Sequence, residues 1–272
     1  MTWLVRPPTL KDSVSPKPPT GWRDVEATLG HFAIVTYAVP PERVRPHVDE
    51  RFELDVFVNN QGEQRVWVSA VPFEDQDFHF VGMPWPTFRF GQTNYRTYVI
   101  DRVSRRRAVW FFGTSLDSWS VAIPRYLWRL PWHRGRIRFD CQYDTSAARY
   151  TRYHMRTESD WAAVELELTD SGEAVNSLNV MDDFEGSMLI LTHPLIGVFR
   201  RRETSQLGTY SIWHDRLNCT AAEVKTARFA LFERLGLVTY DEQTRPDSAL
   251  IQPRCKFTIY LPPKALSHAG MP

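Results

Sequence analysis

The sequence predicts an α+β protein that is mainly antiparallel β, with a strongly curved or closed sheet. Around nine segments of the 272-residue chain have the alternating or β-branched pattern of strands, against about three with helical spacing. Several strand-like segments follow one another directly, as in a meander of half-buried strands. With 43% hydrophobic and 13% aromatic residues, the chain has enough apolar material for a sizeable core.

The first four strand-like segments lie in the N-terminal half. "GHFAIVTYAV" (30–39) is β-branched and ends at two prolines, and "QRVWVSAVPF" (64–73) alternates after an "NNQG" turn. Residues 92–101 and 107–113 flank "RVSRRR", so we expect them to form a hairpin. The five remaining segments are 135–144, 148–157, 161–170, 208–218 and 254–261.

Two segments predict short helices. Residues 118–130 place apolar side chains at helical spacing, and Pro124 indicates that the regular part begins close to it. "MDDFEGSMLILTH" (181–193) is expected to hold a short helix capped by Asp182 or Asp183.

Residues 220–237 are predicted as the clearest helix of the chain. Thr220 and Glu223 have the spacing of a capping box, and Gly236 is a typical C-terminal stop.

Composition and charge exclude several classes of protein. Lys and Arg number 33 against 32 Asp and Glu, so the net charge of +1 does not favour nucleic-acid binding. The three cysteines are far apart, which indicates neither a zinc site nor a disulfide framework and fits the cytoplasm. The N-terminus lacks a secretory signal, and the longest apolar tract (187–199) is too short to span a membrane.

The predicted domain organisation is simple. Residues 1–20 are rich in Pro, Ser and Lys and form an irregular arm, residues 21–265 form a single β-barrel-like domain, and residues 266–272 form a tail.

The stretch "GQTNYRTYV" (91–99) points to a site. In a strand, Gln92, Asn94, Arg96 and Tyr98 share one face because side chains alternate. This polar row either faces bulk water or lines a cavity.

Four motifs carry a resemblance to a known family. "YAVPPERVRPHVDERFELDVF", "NYRTYV", "AVWFFGTSLD" and "PRYLWRLPWHRG" occur in the order and spacing of the YqjF-like bacterial proteins, a branch of the acetoacetate-decarboxylase-like superfamily. The resemblance covers roughly residues 22 to 262. It implies a cone-shaped, largely antiparallel β-barrel around a buried, mostly apolar pocket.

The sequence departs from this superfamily at two positions. The decarboxylases use a lysine beside a second lysine to form a Schiff base with a β-keto acid. In the similar segment here, Pro131 matches the family's proline, but Trp132 and His133 follow it. Many YqjF-like proteins also have a glutamate where this chain has Gln92. We therefore expect no Schiff-base chemistry, and no cofactor is indicated.

Arg96 is the first candidate site residue. A buried guanidinium requires a carboxylate, and Asp117 is the natural partner within the protein. Arg96 then either braces the barrel through this pair or clamps an anionic or carbonyl substrate. Gln92 and Asn94 either bind a polar group of the ligand or satisfy the barrel's own backbone, and Tyr98 is more typical of a core.

The family comparison adds three candidates between residues 125 and 133. Arg125 lies near the pocket or is a surface arginine whose stem covers apolar residues. Trp132 is expected in the pocket wall. Imidazole is the side chain that ordinarily changes charge near neutral pH, so His133 either moves a proton or lies in a solvated loop.

Two further segments carry candidate polar side chains. In "YSIWHD" (210–215), Tyr210 and His214 share a strand face and either complete a polar cluster or belong to the core. In "EDQDFHF" (74–80), Asp75, Asp77 and His79 alternate as metal ligands would, but a polar outer strand is the favoured interpretation, so no metal is expected.

Three hypotheses follow for function. In the first, Arg96 and Arg125 hold an oxygenated ligand, a carboxylate or ketone, and His133 or His214 moves a proton in a lyase, isomerase or hydrolase reaction. In the second, the protein is a non-catalytic ligand-binding or sensory module. In the third, it is a structural homo-oligomer. The expected partner is a small molecule rather than a nucleic acid or a membrane.

Overall fold

The structure is a computed structural model that describes Thr9 and residues 14–118, 128–180 and 183–266. Residues 119–127 of the predicted helix at 118–130 fall outside these ranges, as do Asp182 and the tail from residue 267. Residues 14–20 of the predicted arm contain no helix or strand.

Strands make up most of the described chain. In order they are β1 (Val25–Val39), β2 (Phe52–Leu54), β3 (Phe57–Val58), β4 (Gln64–Phe80), β5 (Met83–Asp101), β6 (Arg107–Leu116), β7 (Trp132–Arg134), β8 (Arg136–Asp144), β9 (Arg149–Glu158), β10 (Val164–Ala174), β11 (Ile196–Arg200), β12 (Leu207–His214), β13 (Thr220–Phe229) and β14 (Ser248–Ala265).

The helices are short. They are α1 (Pro41–Val44), α2 (Phe184–Thr192) and α3 (Ala230–Arg234), with 3-10 turns at Arg45–His47 and Glu242–Thr244. Within the described ranges, no helix combines the length and hydrophobicity that crossing a membrane requires.

Seven strands close into a barrel in the order β1, β4, β5, β6, β11, β12 and β14. Closure results because β14 pairs with β12 on one side and with β1 on the other. All neighbours are antiparallel except β6 and β11, which run parallel. The predicted fold class, a closed and largely antiparallel barrel with few helices, is therefore confirmed.

Four further strands form a side sheet that continues from β14 through β13, β10 and β9 to β8, whereas the short β2, β3 and β7 pair with β5, β4 and β6. This sheet covers the outer faces of β1, β4 and β5, and a large apolar core fills the space between them. Val35, Val68 and Tyr95 contribute to this core from the barrel, whereas Leu166 and Phe229 contribute from the side sheet. As a result, both faces of β5 are buried from Tyr95 to Asp101.

Most segments predicted as strands are strands, including the hairpin of β5 and β6, in which Tyr98 lies opposite Val109. Helix α2 is also confirmed. Its N-cap is Asp183, whose carboxylate accepts a hydrogen bond from the Gly186 amide at 2.8 Å.

The prediction of a long helix over 220–237 is wrong. Residues 220–229 form strand β13, and only Ala230–Arg234 is helical before Gly236. Thr220 does not cap a helix, because its hydroxyl donates to Asp170 on β10 at 2.8 Å. Pairing of β13 with both β10 and β14 outweighs the local helical signal.

Candidate functional site

The barrel encloses a cavity of about 250 Å³. Every one of the seven barrel strands contributes to its wall, and the end of α2 adds Thr192. The wall is mainly apolar and strongly aromatic. Its phenylalanines are Phe32, Phe73, Phe78, Phe80, Phe88, Phe90, Phe111 and Phe257.

The cavity reaches the protein surface near the hairpin between β4 and β5. Phe78, Phe80 and Leu261 are half-buried there, and Phe88 is exposed. At the opposite end, the wall is formed by Arg96, Tyr210 and residues that follow α2. The cavity therefore has an outer end and a deep end.

The polar row of β5 faces this cavity. Gln92, Asn94 and Arg96 line it, whereas Thr93 and Tyr95 point into the core under the side sheet. Tyr98 lies on the same face as Arg96 but belongs to a buried cluster with Trp67. The alternation of this stretch thus places three polar side chains at one hollow.

Arg96 is buried, with 7% of its surface exposed. One terminal nitrogen donates to the Leu191 carbonyl at 2.8 Å and to the Tyr98 hydroxyl at 3.3 Å. Its Nε has no hydrogen-bond partner, and no carboxylate of the described residues forms an ion pair with it. Burial without an anion leaves the guanidinium charge uncompensated by the described protein.

The expected pair of Arg96 and Asp117 does not form, and Asp117 does not line the cavity. The register explains this correction: Arg96 lies opposite Phe111, and the Asp117 amide donates to the Gly91 carbonyl at 2.9 Å. Five residues of strand separate Gly91 from Arg96, a distance of about 16 Å. Asp117 is instead exposed at the end of β6.

Gln92 and Asn94 are held in place by each other. The Asn94 side-chain oxygen accepts hydrogen bonds from the Gln92 amide and from the Thr114 hydroxyl, each at 2.9 Å. The NH₂ group of Asn94 and the side-chain carbonyl oxygen of Gln92 have no hydrogen-bond partner among the described residues. One donor and one acceptor are therefore available beside Arg96.

Tyr210 and His214 approach Arg96 from β12. The Tyr210 ring stacks on Phe111 with centroids 5.8 Å apart. Gly197 makes room for this stack, since a Cβ there would lie 2.7 Å from Phe111 and 3.0 Å from Tyr210. Burial raises the pKa of the Tyr210 hydroxyl, although nearby Arg96 opposes the shift.

His214 is a buried, neutral imidazole. Its Nδ1 donates to the Asp215 carbonyl at 2.8 Å, which leaves Nε2 as the acceptor. Burial is the main cause that lowers its pKa to about 4; the hydrogen bond to Asp215 opposes this shift, while His193 and Arg96 add to it.

Asp75 is a cavity residue that the sequence did not reveal. Asp75 points inward because it follows Val71 and Phe73 at alternate positions of β4. A bulge at Asp77, whose φ is 54°, then interrupts the alternation, so Asp77 is exposed and His79 is half-buried. The three side chains therefore do not share the face that a metal site would need. No group of metal-ligating side chains occurs in the part of the chain that the structure describes.

Trp132 and His133 point to opposite sides of β7. Trp132 lies opposite Thr114 and lines the cavity. His133 stacks on Trp161, with centroids 3.8 Å apart and planes at 4°, outside the cavity wall. The expectation that His133 moves a proton in the pocket is corrected accordingly. Arg125 lies outside the described residues.

Lysine is absent from the described cavity wall. The four described lysines, Lys17, Lys225, Lys256 and Lys264, are all exposed.

Solved structures share this barrel. Acetoacetate decarboxylase from Legionella pneumophila subsp. pneumophila str. Philadelphia 1 matches with a TM-score of 0.56 at 11% identity, over 93% of this chain and 92% of that chain. An acetoacetate decarboxylase-like enzyme from Sphingomonas wittichii RW1 matches at 0.59 and 11%, over 93% and 97%. The enduracididine biosynthesis enzyme MppR, complexed with pyruvate, matches at 0.59 and 11%, over 95% of each. The fold is therefore acetoacetate-decarboxylase-like.

A family model identifies the chain more closely. The model of DUF2071, described as "Uncharacterized conserved protein (COG2071)", matches residues 26–256. The chain belongs to this family, and the fold that the resemblance implied, an acetoacetate-decarboxylase-like barrel, is confirmed. No curated protein matches the chain by sequence.

Proposed function

We propose that the protein binds a small, mostly apolar molecule inside the barrel and that Arg96 holds its carboxylate or carbonyl oxygen. The carrying observation is the buried Arg96 guanidinium, which faces the cavity without an ion-pair partner among the described residues. An isolated buried charge costs several kcal/mol, and an anionic ligand would offset that cost.

The surroundings of Arg96 support an oxygenated ligand. The guanidinium is able to bind a carboxylate through two parallel hydrogen bonds. Asn94 offers a free NH₂ group and Tyr210 a hydroxyl beside it. The aromatic wall would cover the rest of the molecule, as in most small-molecule pockets.

The proposed chemistry differs from Schiff-base decarboxylation. No described lysine reaches the cavity, and Trp132, whose indole carries no basic nitrogen, contributes to the wall. MppR, which shares the fold, is known in complex with pyruvate, a small oxo acid. This supports an oxygenated acid as ligand without implying the same reaction.

The second candidate function is catalysis. It is favoured by two residues of the cavity wall whose pKa values are shifted from their ordinary values. Asp75 is a carboxyl whose pKa burial raises, and His214 is a neutral imidazole with a free Nε2. Either group suits proton transfer in a lyase, isomerase or hydrolase reaction. Without turnover, the same cavity defines a ligand-binding or sensory module.

The test is a thermal-shift and native-mass-spectrometry screen of short carboxylates and ketones. We expect carboxylates to stabilise the wild type and the Arg96→Met variant to bind them at least about tenfold more weakly, a loss of about 1.4 kcal/mol. Arg89→Met is the matched control, because Arg89 lies on the same strand but is exposed and pairs with Glu74. Equal carboxylate binding by Arg96→Met and wild type would contradict the proposal.

Turnover separates the two candidates. The bound compound is followed by NMR with wild type and with His214→Gln. Conversion that the variant loses identifies an enzyme, whereas stabilisation of an unchanged ligand identifies a binding module.

A further inference from the structure

Asp75 is the most buried carboxyl group that lines the cavity. It is 2% exposed and lies on β4 between Leu29 of β1 and Phe90 of β5, both apolar. No described residue forms a hydrogen bond or an ion pair with its side chain. The adjacent Glu74 lies on the other face and is bound by Arg89 at 2.7 Å.

Such a carboxyl is expected to be protonated when the cavity is empty. Burial raises its pKa well above the ordinary value, and the charge of Glu74 acts in the same direction. A protonated carboxyl donates one hydrogen bond and accepts others, whereas its ionised form only accepts.

Asp75 and Arg96 stand far apart along the same cavity. Asp75 lies opposite Phe90, and Arg96 is six residues further along β5, which corresponds to about 20 Å of strand. The wall between them is apolar apart from the amides of Gln92 and Asn94; it includes Phe73, Phe90 and Trp132. The cavity thus has a cationic guanidinium at its deep end and an uncharged polar group nearer its outer end.

We infer that the ligand is a monocarboxylate with a second, uncharged oxygen function, such as a hydroxyl or ketone, separated from the carboxylate by an apolar stretch. This inference rests on the proposed function of Arg96. Arg96 binds the carboxylate, and Asp75 donates a hydrogen bond to the distant oxygen.

The same arrangement rejects two related classes of compound. A dicarboxylate would bring its second negative charge against a carboxyl in an apolar wall, where no cation compensates it. A fully apolar tail would leave the buried Asp75 hydroxyl without an acceptor. Asp75 is in this way a specificity-determining residue.

The experiment uses a series of straight-chain carboxylates of increasing length, because the spacing between Arg96 and Asp75 determines which length reaches both. Each chain is tested unsubstituted and with a terminal hydroxyl, carboxylate or ammonium group, by calorimetric titration at neutral pH. We expect the ω-hydroxy acids to bind most tightly and the dicarboxylates at least about tenfold more weakly.

Two variants of Asp75 sharpen the result. Asp75→Asn, which keeps a neutral donor, retains the preference for the hydroxyl but tolerates dicarboxylates. Asp75→Leu loses the preference for the hydroxyl over the unsubstituted chain. Asp77→Asn, an exposed neighbour on the same strand, is the control and changes neither preference.

The outcomes separate this inference from the proposed function. If carboxylates bind through Arg96 but neither Asp75 variant changes selectivity, the inference is overturned and the proposed function stands. If ω-amino acids bind best and Asp75→Asn abolishes this, Asp75 is ionised and the inference is wrong. If no carboxylate binds the wild type, both are overturned.

Discussion

The two faces of strand β5 differ in what lies against them. On the outer face, Tyr95 is fully buried and its ring meets those of Trp161, Phe229 and Phe232 at 5.6 to 6.5 Å. On the inner face, Arg96 borders a cavity of about 250 Å³. One face is filled by the protein itself, and the other leaves space and unpaired polar groups.

This difference indicates that the two faces of the strand have different roles. Filled apolar packing supplies stability, because each buried ring removes apolar surface from water and leaves no void. Polar groups around a hollow contribute little to stability and are suited to binding. Substitutions on the outer face are therefore expected to affect folding, and those inside the barrel to affect binding or pH dependence.

The largest effect is expected for Tyr95→Ala. Removal of the ring should lower the free energy of unfolding by about 3 to 5 kcal/mol, because a cavity replaces three aromatic contacts. Urea denaturation measures the change. Tyr95→Phe is the control: the Tyr95 hydroxyl is buried without a hydrogen-bond partner among the described residues, so its removal should be neutral or stabilising. A severe loss in Tyr95→Phe would contradict this account.

A second, pH-dependent effect is expected from His214. Its pKa is about 4 in the folded protein, against about 6.5 in the unfolded chain, so the unfolded state binds more protons between these values. Stability should therefore fall by about 3 kcal/mol as the pH drops from 6.5 to 4. His214→Gln should lose less over the same range. Thermal unfolding at both pH values, with equal losses in the two proteins, would contradict the prediction.

A smaller effect of opposite sign is expected from Asp75. Because its pKa is raised on folding, the folded state binds more protons than the unfolded chain once the pH exceeds about 3.8, and stability is lost as the pH rises. Asp75→Asn should stabilise the ligand-free protein at neutral pH by about 1 to 3 kcal/mol. The gain should vanish below the ordinary pKa of Asp. A variant less stable than wild type at neutral pH would contradict the raised pKa, because it would mean that the folded protein stabilises the Asp75 carboxylate.

Much of the fold could be predicted from the sequence because alternation and β-branching are local signals. The strands of the β5–β6 hairpin and the shared face of Gln92, Asn94 and Arg96 follow from a period of two, whereas the structure was needed to show that this face lines the cavity. Strand β13 was not predicted, because Thr220 and Glu223 have the spacing of a helix N-terminus. The strand forms because it pairs with its neighbours in the sheet, which the local sequence does not show.

The missed parts of the site have specific causes. The bulge at Asp77 changes which side chains point inward, and nothing in the local sequence announces a positive φ at an aspartate. Pairing of Arg96 with Asp117 depended on register, which the residue types alone do not determine.

The closure of β14 onto β1 also affects how copies of the chain meet. The barrel strands pair with one another around a closed ring, so the barrel has no free strand edge where β14 meets β1. The side sheet, in contrast, ends at β8, on which Arg136, Arg138 and Asp140 are exposed at alternate positions. Charged side chains on a terminal strand oppose the addition of a further strand from another molecule. Aggregation through backbone pairing at this border is thereby disfavoured.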